Sequence, residues 1–197
     1  MDLPSNNTNS IRENNAVKAE LDINAIDSID SVLIDEFYSE DNLMPVVLAA
    51  LNYIDTCIKD DLTLPYFADM NRELWQSKPK TLDIYITDST EGHELNLEAR
   101  GKDYATNILS YPSELPNSVL ELMPTLPLGE LIICHEVVAF EAHEQDKTTA
   151  QHISHLLVHG ILHLLGFDHE IGQSEQDEME QFEIDVLAKL AVPNPYL

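Results

Sequence analysis

The sequence predicts an α+β fold, a single compact domain in which a small mixed sheet packs against helices. Apolar residues alternate over residues 81–87, and a second strand is expected at 129–134. Helical spacing recurs over residues 43–59 and again after Thr148 and Ser174. Strands and helices do not alternate regularly, which favours α+β over α/β. With 197 residues and 44% hydrophobic content, the chain can bury one sizeable core.

The N-terminal half is less regular. Residues 1–29 are rich in Asn, Ser, Asp and Glu, so we expect a flexible acidic extension followed by one domain over 30–197. Residues 32–38 are interpreted as a first strand, and residues 60–80 as a loop with a short helical pattern that ends near its tryptophan. The apolar positions of the helix at 43–59 recur at helical spacing: Val47, Leu51, Ile54 and Ile58.

The C-terminal third is predicted to contain two helices. Thr148 and Gln151 have the spacing of a capping box, and Gly166 is a favourable stop for the helix that they begin. A last helix should start near Ser174, with Met179, Phe182, Val186 and Leu190 on one side. Its acidic residues, within 175–185, form either a docking face for a basic partner or merely a solvated surface.

The charge balance limits the classes of function. Ten Lys and Arg residues stand against 36 Asp and Glu, for a formal net charge of −26. Such a charge opposes non-specific binding to a phosphate backbone, which depends on Lys and Arg. A polyanionic substrate would therefore need a locally positive site, a metal or a partner protein. No segment has the roughly 20 apolar residues of a membrane span, and the polar N-terminus argues against a signal peptide, so we expect a cytoplasmic protein.

The sequence from 159 to 169, HGILHLLGFDH, predicts a metal site. His159 and His163 are four residues apart on a predicted helix and share one face, and a turn at Gly166 would return His169 to the same point. Three imidazoles leave one position for water, which is typical of catalytic zinc, and no Cys lies nearby to close the site. We expect one Zn²⁺ per chain, on a helix and the turn that follows it.

Neighbouring residues leave alternatives open. Long-motif zinc peptidases carry a glutamate after the first histidine, where this chain has Gly160, so a peptidase-like zinc hydrolase becomes the second choice. Asp168 and Glu170 could orient or deprotonate water, although Asp168 is favoured as the hydrogen-bond partner of a ligating imidazole. His155 either borders the cleft and contacts substrate or is a satisfied polar residue.

A second motif, RGKDYATNILSYPSE at residues 100–114, contains two of the ten cations. Arg100 and Lys102 flank a glycine, and guanidinium and ammonium groups beside backbone amides can bind phosphate. Thr106, Asn107 and Ser110 supply neutral donors along an expected extended segment. Taken alone, a basic loop with a glycine is common and usually only solvated.

Together, RGKDxxTNxLSxP, LGELIIC and HGxLHLLGxDH resemble the YbeY family of bacterial rRNA maturation factors. The resemblance runs from about residue 81 to the C-terminus. It implies that His159, His163 and His169 bind zinc and that Arg100 is the catalytic residue that handles substrate phosphate, with Lys102 at the other basic position. Lys102, Ser110 and His155 are our candidates for substrate binding. Glu130 stands where the family usually has Asp, and Phe167 where Tyr is frequent.

The resemblance implies a single-strand-specific, metal-dependent endoribonuclease. Its expected role is maturation of the 3′ end of 16S-type small-subunit rRNA, and ribosome quality control. Expected partners are single-stranded RNA or rRNA, the small ribosomal subunit, and a small-subunit protein or an assembly GTPase, with no membrane. A rival hypothesis is a ribosome-assembly binding module whose zinc is structural.

Overall fold

Four strands form one mixed sheet in the computed structural model, which describes residues 17–59, 62–68 and 70–197. The strands are β1 (Ala19–Ala25), β2 (Lys80–Thr87), β3 (Ile108–Pro112) and β4 (Leu126–Cys134), in the order β1-β2-β4-β3. β1, β2 and β4 are parallel, and β3 is an antiparallel edge strand. The predicted mixed sheet and the α+β class are confirmed.

Helices connect and cover the strands. Between β1 and β2 lie α1 (Ser31–Leu33), which continues as a π-helical turn (Ile34–Tyr38), then α2 (Glu40–Lys59), a 3₁₀ turn (Pro65–Phe67) and α3 (Arg72–Ser77). After β2 come α4 (Ser89–Arg100), α5 (Asn117–Leu120) between β3 and β4, then α6 (His135–Glu144), α7 (Thr149–Leu164) and α8 (Gln173–Lys189). No helix within the described ranges is long and apolar enough to cross a membrane.

The core lies between the sheet and α7. Leu82, Ile84 and Ile86 alternate on β2 and are almost completely buried, as their spacing predicts. α7 packs against β3 and β4, and α2 and α8 pack against α7 in turn. α4 covers the opposite face of the sheet, where Gly92 lies against the side chains of Cys134 and Thr87. The central helix is therefore enclosed on several sides, which makes it a rigid support for its side chains.

Two expectations for the N-terminal half are wrong. Residues 19–25, expected in the flexible extension, form β1, because Ala19, Leu21, Ile23 and Ala25 alternate toward the core while β1 pairs with β2. Residues 1–16 lie outside the described residues, so that part of the extension stays a prediction. Residues 32–38 are helical rather than extended, since the Asp30 carboxylate accepts a hydrogen bond from the Val32 amide and begins a helical turn.

Candidate metal centre and phosphate cleft

α7 places the first two histidines. Its N-terminus is closed by the predicted capping box, in which the Gln151 amide donates to Thr148 Oγ1 and the Thr148 amide donates to Gln151 Oε1. His159 and His163 lie one turn apart near the other end, with ring centroids 4.6 Å apart. Their Nε2 atoms are 3.1 Å apart. Two ligands about 2.05 Å from a tetrahedral ion would lie roughly 3.3 Å apart, so the spacing suits a shared ion.

The turn after α7 brings in the third histidine. Gly166 has φ +95°, a conformation that costs glycine little, and an added Cβ would lie 2.9 Å from atoms of Pro65 and Tyr66. The reversed chain puts the His169 ring centroid 5.2 Å from those of both His159 and His163. One potential ligand atom from each of the three rings lies within 4.8 Å of the others. The structure thus brings the three predicted residues together.

Protonation favours metal binding. Burial, together with the neighbouring rings of His159 and His169, lowers the pKa of His163 to about 4. His163 is therefore neutral at physiological pH and presents a lone pair. Three imidazoles without a thiolate or a carboxylate form a donor set that suits zinc with one position left for water or substrate. The residues present fit the expected ion.

Glu183 orients His159, and the sequence analysis missed it. The carboxylate lies on α8 with 1% of its side chain exposed, and it accepts hydrogen bonds from His159 Nδ1 and His155 Nε2, each at 2.8 Å. The Tyr196 hydroxyl donates to the same carboxylate. A carboxylate only accepts, so His159 carries hydrogen on Nδ1 and its Nε2 lone pair faces His163.

The charge of Glu183 follows from these contacts. Burial alone would raise the pKa of the carboxyl, but the hydrogen bonds from His155 and His159 outweigh it and lower the pKa to about 2. The sequence contained a signal for this position. Residue 183 falls at helical spacing from Met179 and Val186, on the buried side of α8, and so could not belong to the solvated acidic face.

Asp168 does not take the position expected of it. Its Oδ1 accepts from the Glu170 amide at 2.9 Å, which stabilises the turn before His169. Among the described residues, the carboxylate hydrogen-bonded to a histidine of the triad is Glu183, not Asp168. Asp168 nevertheless lines the cleft, and its negative charge opposes the lowering of the pKa of His163. Among the described residues no imidazole donates a hydrogen bond to Asp168, which corrects the role expected of it.

The basic motif meets the histidines in one cleft of about 660 Å³, hereafter the phosphate cleft. Arg100 ends α4, Lys102 follows the left-handed cap at Gly101, and Ser110 lies on the edge strand β3. All three line the cleft together with His159, His163, Asp168 and His169. Both cations are exposed, and within the described residues neither forms an ion pair. Their positive charge is available to an anion.

His155 is not among the residues that line the phosphate cleft. It lies on the far side of the triad and donates to Glu183, with 15% of its side chain exposed. Among the described residues its Nδ1 is buried without a hydrogen-bond partner, so the ring is only partly satisfied, and substrate contact by His155 stays a prediction. Asn107, expected as a free donor, instead donates from Nδ2 to Glu141 Oε2 at 2.9 Å.

Gly160 shows why the peptidase glutamate is absent. It lies on the face of α7 that packs on the sheet, and an added Cβ would come within 2.7 Å of Leu131 and 2.9 Å of Ile108. Both side chains are buried, so a larger residue here would overpack the core. A side chain at position 160 would therefore clash with the sheet. The chain thus lacks the residue that activates water in the peptidases.

Comparisons with known proteins agree with the motifs. The family model described as endoribonuclease YbeY matches residues 60–191. An endoribonuclease YbeY of Psychrobacter cryohalolentis is 68% identical over 154 residues, covering 78% of this chain and 99% of the relative. An endoribonuclease YbeY of Acinetobacter baumannii is 53% identical over 115 residues, covering 58% of this chain and 73% of the relative. A solution structure of a Thermotoga maritima protein, 18% identical with a TM-score of 0.45, covers 87% of this chain and 92% of that one. The resemblance is confirmed, and the chain belongs to the endoribonuclease YbeY family.

Proposed function

We propose that the protein is a single-strand-specific, zinc-dependent endoribonuclease. One observation carries the proposal: the three histidines and the two exposed cations Arg100 and Lys102 line the same cleft. In a chain of net charge −26, a cleft with two unpaired cations beside a candidate metal site is suited to a phosphodiester. The names of the relatives, endoribonuclease YbeY, agree with this substrate class.

His159, His163 and His169 are the proposed ligands, for one ion per chain. When bound, zinc supplies Lewis-acid polarisation of the phosphate and lowers the pKa of water. Glu183 fixes the tautomer of His159, so that its Nε2 lone pair faces the other rings. Burial keeps His163 neutral without any metal. The chain therefore prepares two of the three ligands before binding.

Arg100 has the proposed catalytic role. Its guanidinium can bind two oxygens of one phosphate and neutralise the charge that develops in the transition state. Lys102 supplies a second, point-like charge, and the Ser110 hydroxyl can donate to a phosphate or ribose oxygen. Asp168 and Glu170 also line the cleft, and their negative charge opposes the binding of a second phosphate. These charges hold one phosphodiester against the metal site.

The finer proposal is maturation of the 3′ end of small-subunit rRNA and ribosome quality control, in the cytoplasm. The overall negative charge opposes free RNA binding, so a basic small-subunit protein or an assembly GTPase would help to position the substrate. The exposed acidic residues of the first turns of α8, Glu175, Asp177 and Glu178, are the proposed docking face. Asp185 is not part of it, since its carboxylate accepts a hydrogen bond from Tyr53 at 2.5 Å.

A cleavage assay tests the proposed function. The purified protein should cut a single-stranded RNA and leave the matching duplex and a casein substrate intact. The product ends identify the nucleophile, because a 2′,3′-cyclic phosphate shows attack by the ribose 2′-hydroxyl, whereas a 5′-phosphate with a 3′-hydroxyl shows attack by water. Casein cleavage that His163→Ala abolishes would replace the proposal by a peptidase. No RNA cleavage, with full function of Arg100→Ala in cells, would favour a binding module with structural zinc.

A further inference from the structure

A second recess, hereafter the acidic cavity, lies behind the histidines. It encloses about 470 Å³, within the usual range of small-molecule sites, and is lined by residues of α6, α7, α8 and the C-terminal segment. Asn107, His159 and His169 line both the acidic cavity and the phosphate cleft. A strand whose phosphate lies in the cleft therefore has a neighbouring nucleoside within reach of the cavity.

The lining of the acidic cavity excludes a phosphate. It includes Glu141, Glu180 and Glu183 together with four histidines, but neither Lys nor Arg, whereas the phosphate cleft contains Arg100 and Lys102. Like charges at short range repel a phosphate from the cavity, so its occupant is uncharged or cationic. Pro195 supplies apolar surface beside these carboxylates, together with the edges of the almost fully buried Leu156 and Met179, which suits the face of a flat ring.

Two of the three carboxylates are already engaged by the protein. Glu183 accepts from His155, His159 and Tyr196, as described above. Glu141 Oε2 accepts from Asn107 Nδ2 and from His152 Nε2, each at 2.9 Å. Glu180 differs, because among the described residues its carboxylate accepts one hydrogen bond, from Gln176 Nε2 to Oε1 at 2.7 Å. Glu180 is therefore the carboxylate best placed to accept from a ligand.

We propose that the acidic cavity binds a nucleobase, preferentially guanine, from the nucleotide next to the bound phosphodiester. The Watson–Crick edge of guanine carries two adjacent donors, N1–H and the exocyclic amine, which match the two oxygens of one carboxylate. Adenine and cytosine place an acceptor beside their amine, and uracil has one ring donor between two carbonyls, so none of them matches Glu180 as well. Extruded bases of single-stranded RNA are commonly recognised at this edge. The inference rests on the proposed function, since it assumes an RNA substrate.

Nucleoside binding tests the cavity without cleavage. Methionine methyl groups are labelled with ¹³C in the metal-bound protein, and guanosine, adenosine, cytidine and uridine are added in turn. The Met179 methyl lines the cavity and should shift saturably with guanosine, at about tenfold lower concentration than with the other three. The signal is identified with Met179→Leu, and the Met44 methyl on α2 serves as the internal reference.

Glu180→Gln should remove the preference for guanosine, because an amide presents only one acceptor. Glu178→Gln on the exposed side of α8 is the matched control and should keep it. If the Met179 methyl signal does not shift with any nucleoside, the inference is overturned. Equal shifts for all four, or a guanosine preference that survives Glu180→Gln, would overturn the guanine assignment. Guanosine carries no phosphate and is not cleaved, so these results are separate from those of the RNA cleavage assay.

Discussion

The phosphate cleft and the acidic cavity share His159 and His169 but differ in charge, because the cleft sets Arg100 and Lys102 beside Asp168 and Glu170 whereas the cavity lining has no Lys or Arg. The cleft contains Arg100 and Lys102 exposed and without ion pairs among the described residues, whereas the cavity contains three carboxylates. The difference shows how a chain of net charge −26 can act on a polyanion. Two exposed cations lie where a phosphate would bind, while buried carboxylates such as Glu183 hold the histidines and line the other recess.

The largest expected effect is that of an Arg100 substitution in the phosphate cleft on the rate of RNA cleavage. Arg100→Ala should lower the rate of RNA cleavage by about 100- to 1000-fold, because one charge-stabilising donor is lost from the transition state. Arg100→Lys should recover only part of the rate, since an ammonium does not bind phosphate in the two-pronged way of a guanidinium. Single-turnover kinetics on a short RNA measure both.

The matched control for Arg100 is Arg72→Ala, an exposed arginine on α3 that does not line the cleft. Arg72→Ala should cleave at the parental rate, and all variants should retain their metal and their thermal transition. If Arg100→Ala cleaves RNA at the parental rate, the loop with Arg100 and Lys102 is an ordinary solvated turn. The functional contrast between the phosphate cleft and the acidic cavity would then be lost.

On the acidic side, Glu183→Gln should weaken metal binding by about 10- to 100-fold, because His159 loses the anionic acceptor that fixes its tautomer. Competition with a chromogenic chelator measures the affinity, and Glu178→Gln is the control. Equal affinities in both variants would show that Glu183 has only a packing role.

Glu183→Gln should also change how the free energy of unfolding depends on pH. The folded-state pKa of Glu183 is lowered to about 2 from an ordinary value of 4.5, so its contribution to stability is present above pH 4.5 and is lost as the pH falls toward 2. With metal removed, the free energy of unfolding should fall more steeply over that window in the parent than in Glu183→Gln. Parallel curves from denaturant titrations would contradict this coupling.

The turn at Gly166, which brings in His169, should contribute to stability. Gly166→Ala forces a side chain into a left-handed conformation and against Pro65 and Tyr66, so it should cost about 1–3 kcal/mol and weaken metal binding through His169. Gly172→Ala is the control, because its φ of −177° suits any residue and its added Cβ would meet only the flexible Glu175 carboxylate. Denaturant unfolding in the presence of a chelator measures the stability of both variants. Equal midpoints would argue against backbone strain in Gly166→Ala.

The smallest expected effect is on docking. Changing Glu175, Asp177 and Glu178 together to Lys should weaken binding to isolated small subunits roughly three- to tenfold at low ionic strength. The difference should shrink as the Debye length falls to about 8 Å at physiological salt. Cleavage of a short RNA should not decrease. Binding as tight as that of the parent would leave solubility as the explanation of the acidic face.

The sequence predicted the C-terminal third better than the N-terminal part. A capping box, a stop glycine and histidines at helical spacing are local signals, and α7 and its turn follow them closely. β1 was missed because its outward residues, Glu20, Asp22 and Asn24, make the segment look like a polar tail; the period of two that its inward residues follow was present. The helical turn at 34–38 depends on tertiary contacts, such as the Tyr38 hydroxyl with His135 Nδ1 at 3.0 Å.

In the candidate site too, local sequence signals predicted some residues and helix packing determined the others. The triad and the cationic loop could be found from spacing and resemblance, whereas the position of each partner depends on how α8 packs on α7. Asp168 is next to His169 in sequence yet binds the backbone of its own turn, and Glu183 is distant in sequence yet contacts His159. Distances along the chain do not predict which carboxylate meets a ligand across a helix interface.

Metal removal and restoration test whether the three histidines form a catalytic zinc site. The parent should contain close to one zinc per chain, lose RNA cleavage on chelation and recover it with zinc. His163→Ala should contain little metal, and Arg100→Ala should contain a full equivalent yet remain inactive. Metal should also leave the parent below about pH 6, because an imidazole must be neutral to bind. Elemental analysis paired with single-stranded RNA cleavage gives both readings on one sample. Cleavage that persists in the chelated parent, or full metal content in His163→Ala, would contradict a three-histidine zinc site as the catalytic centre.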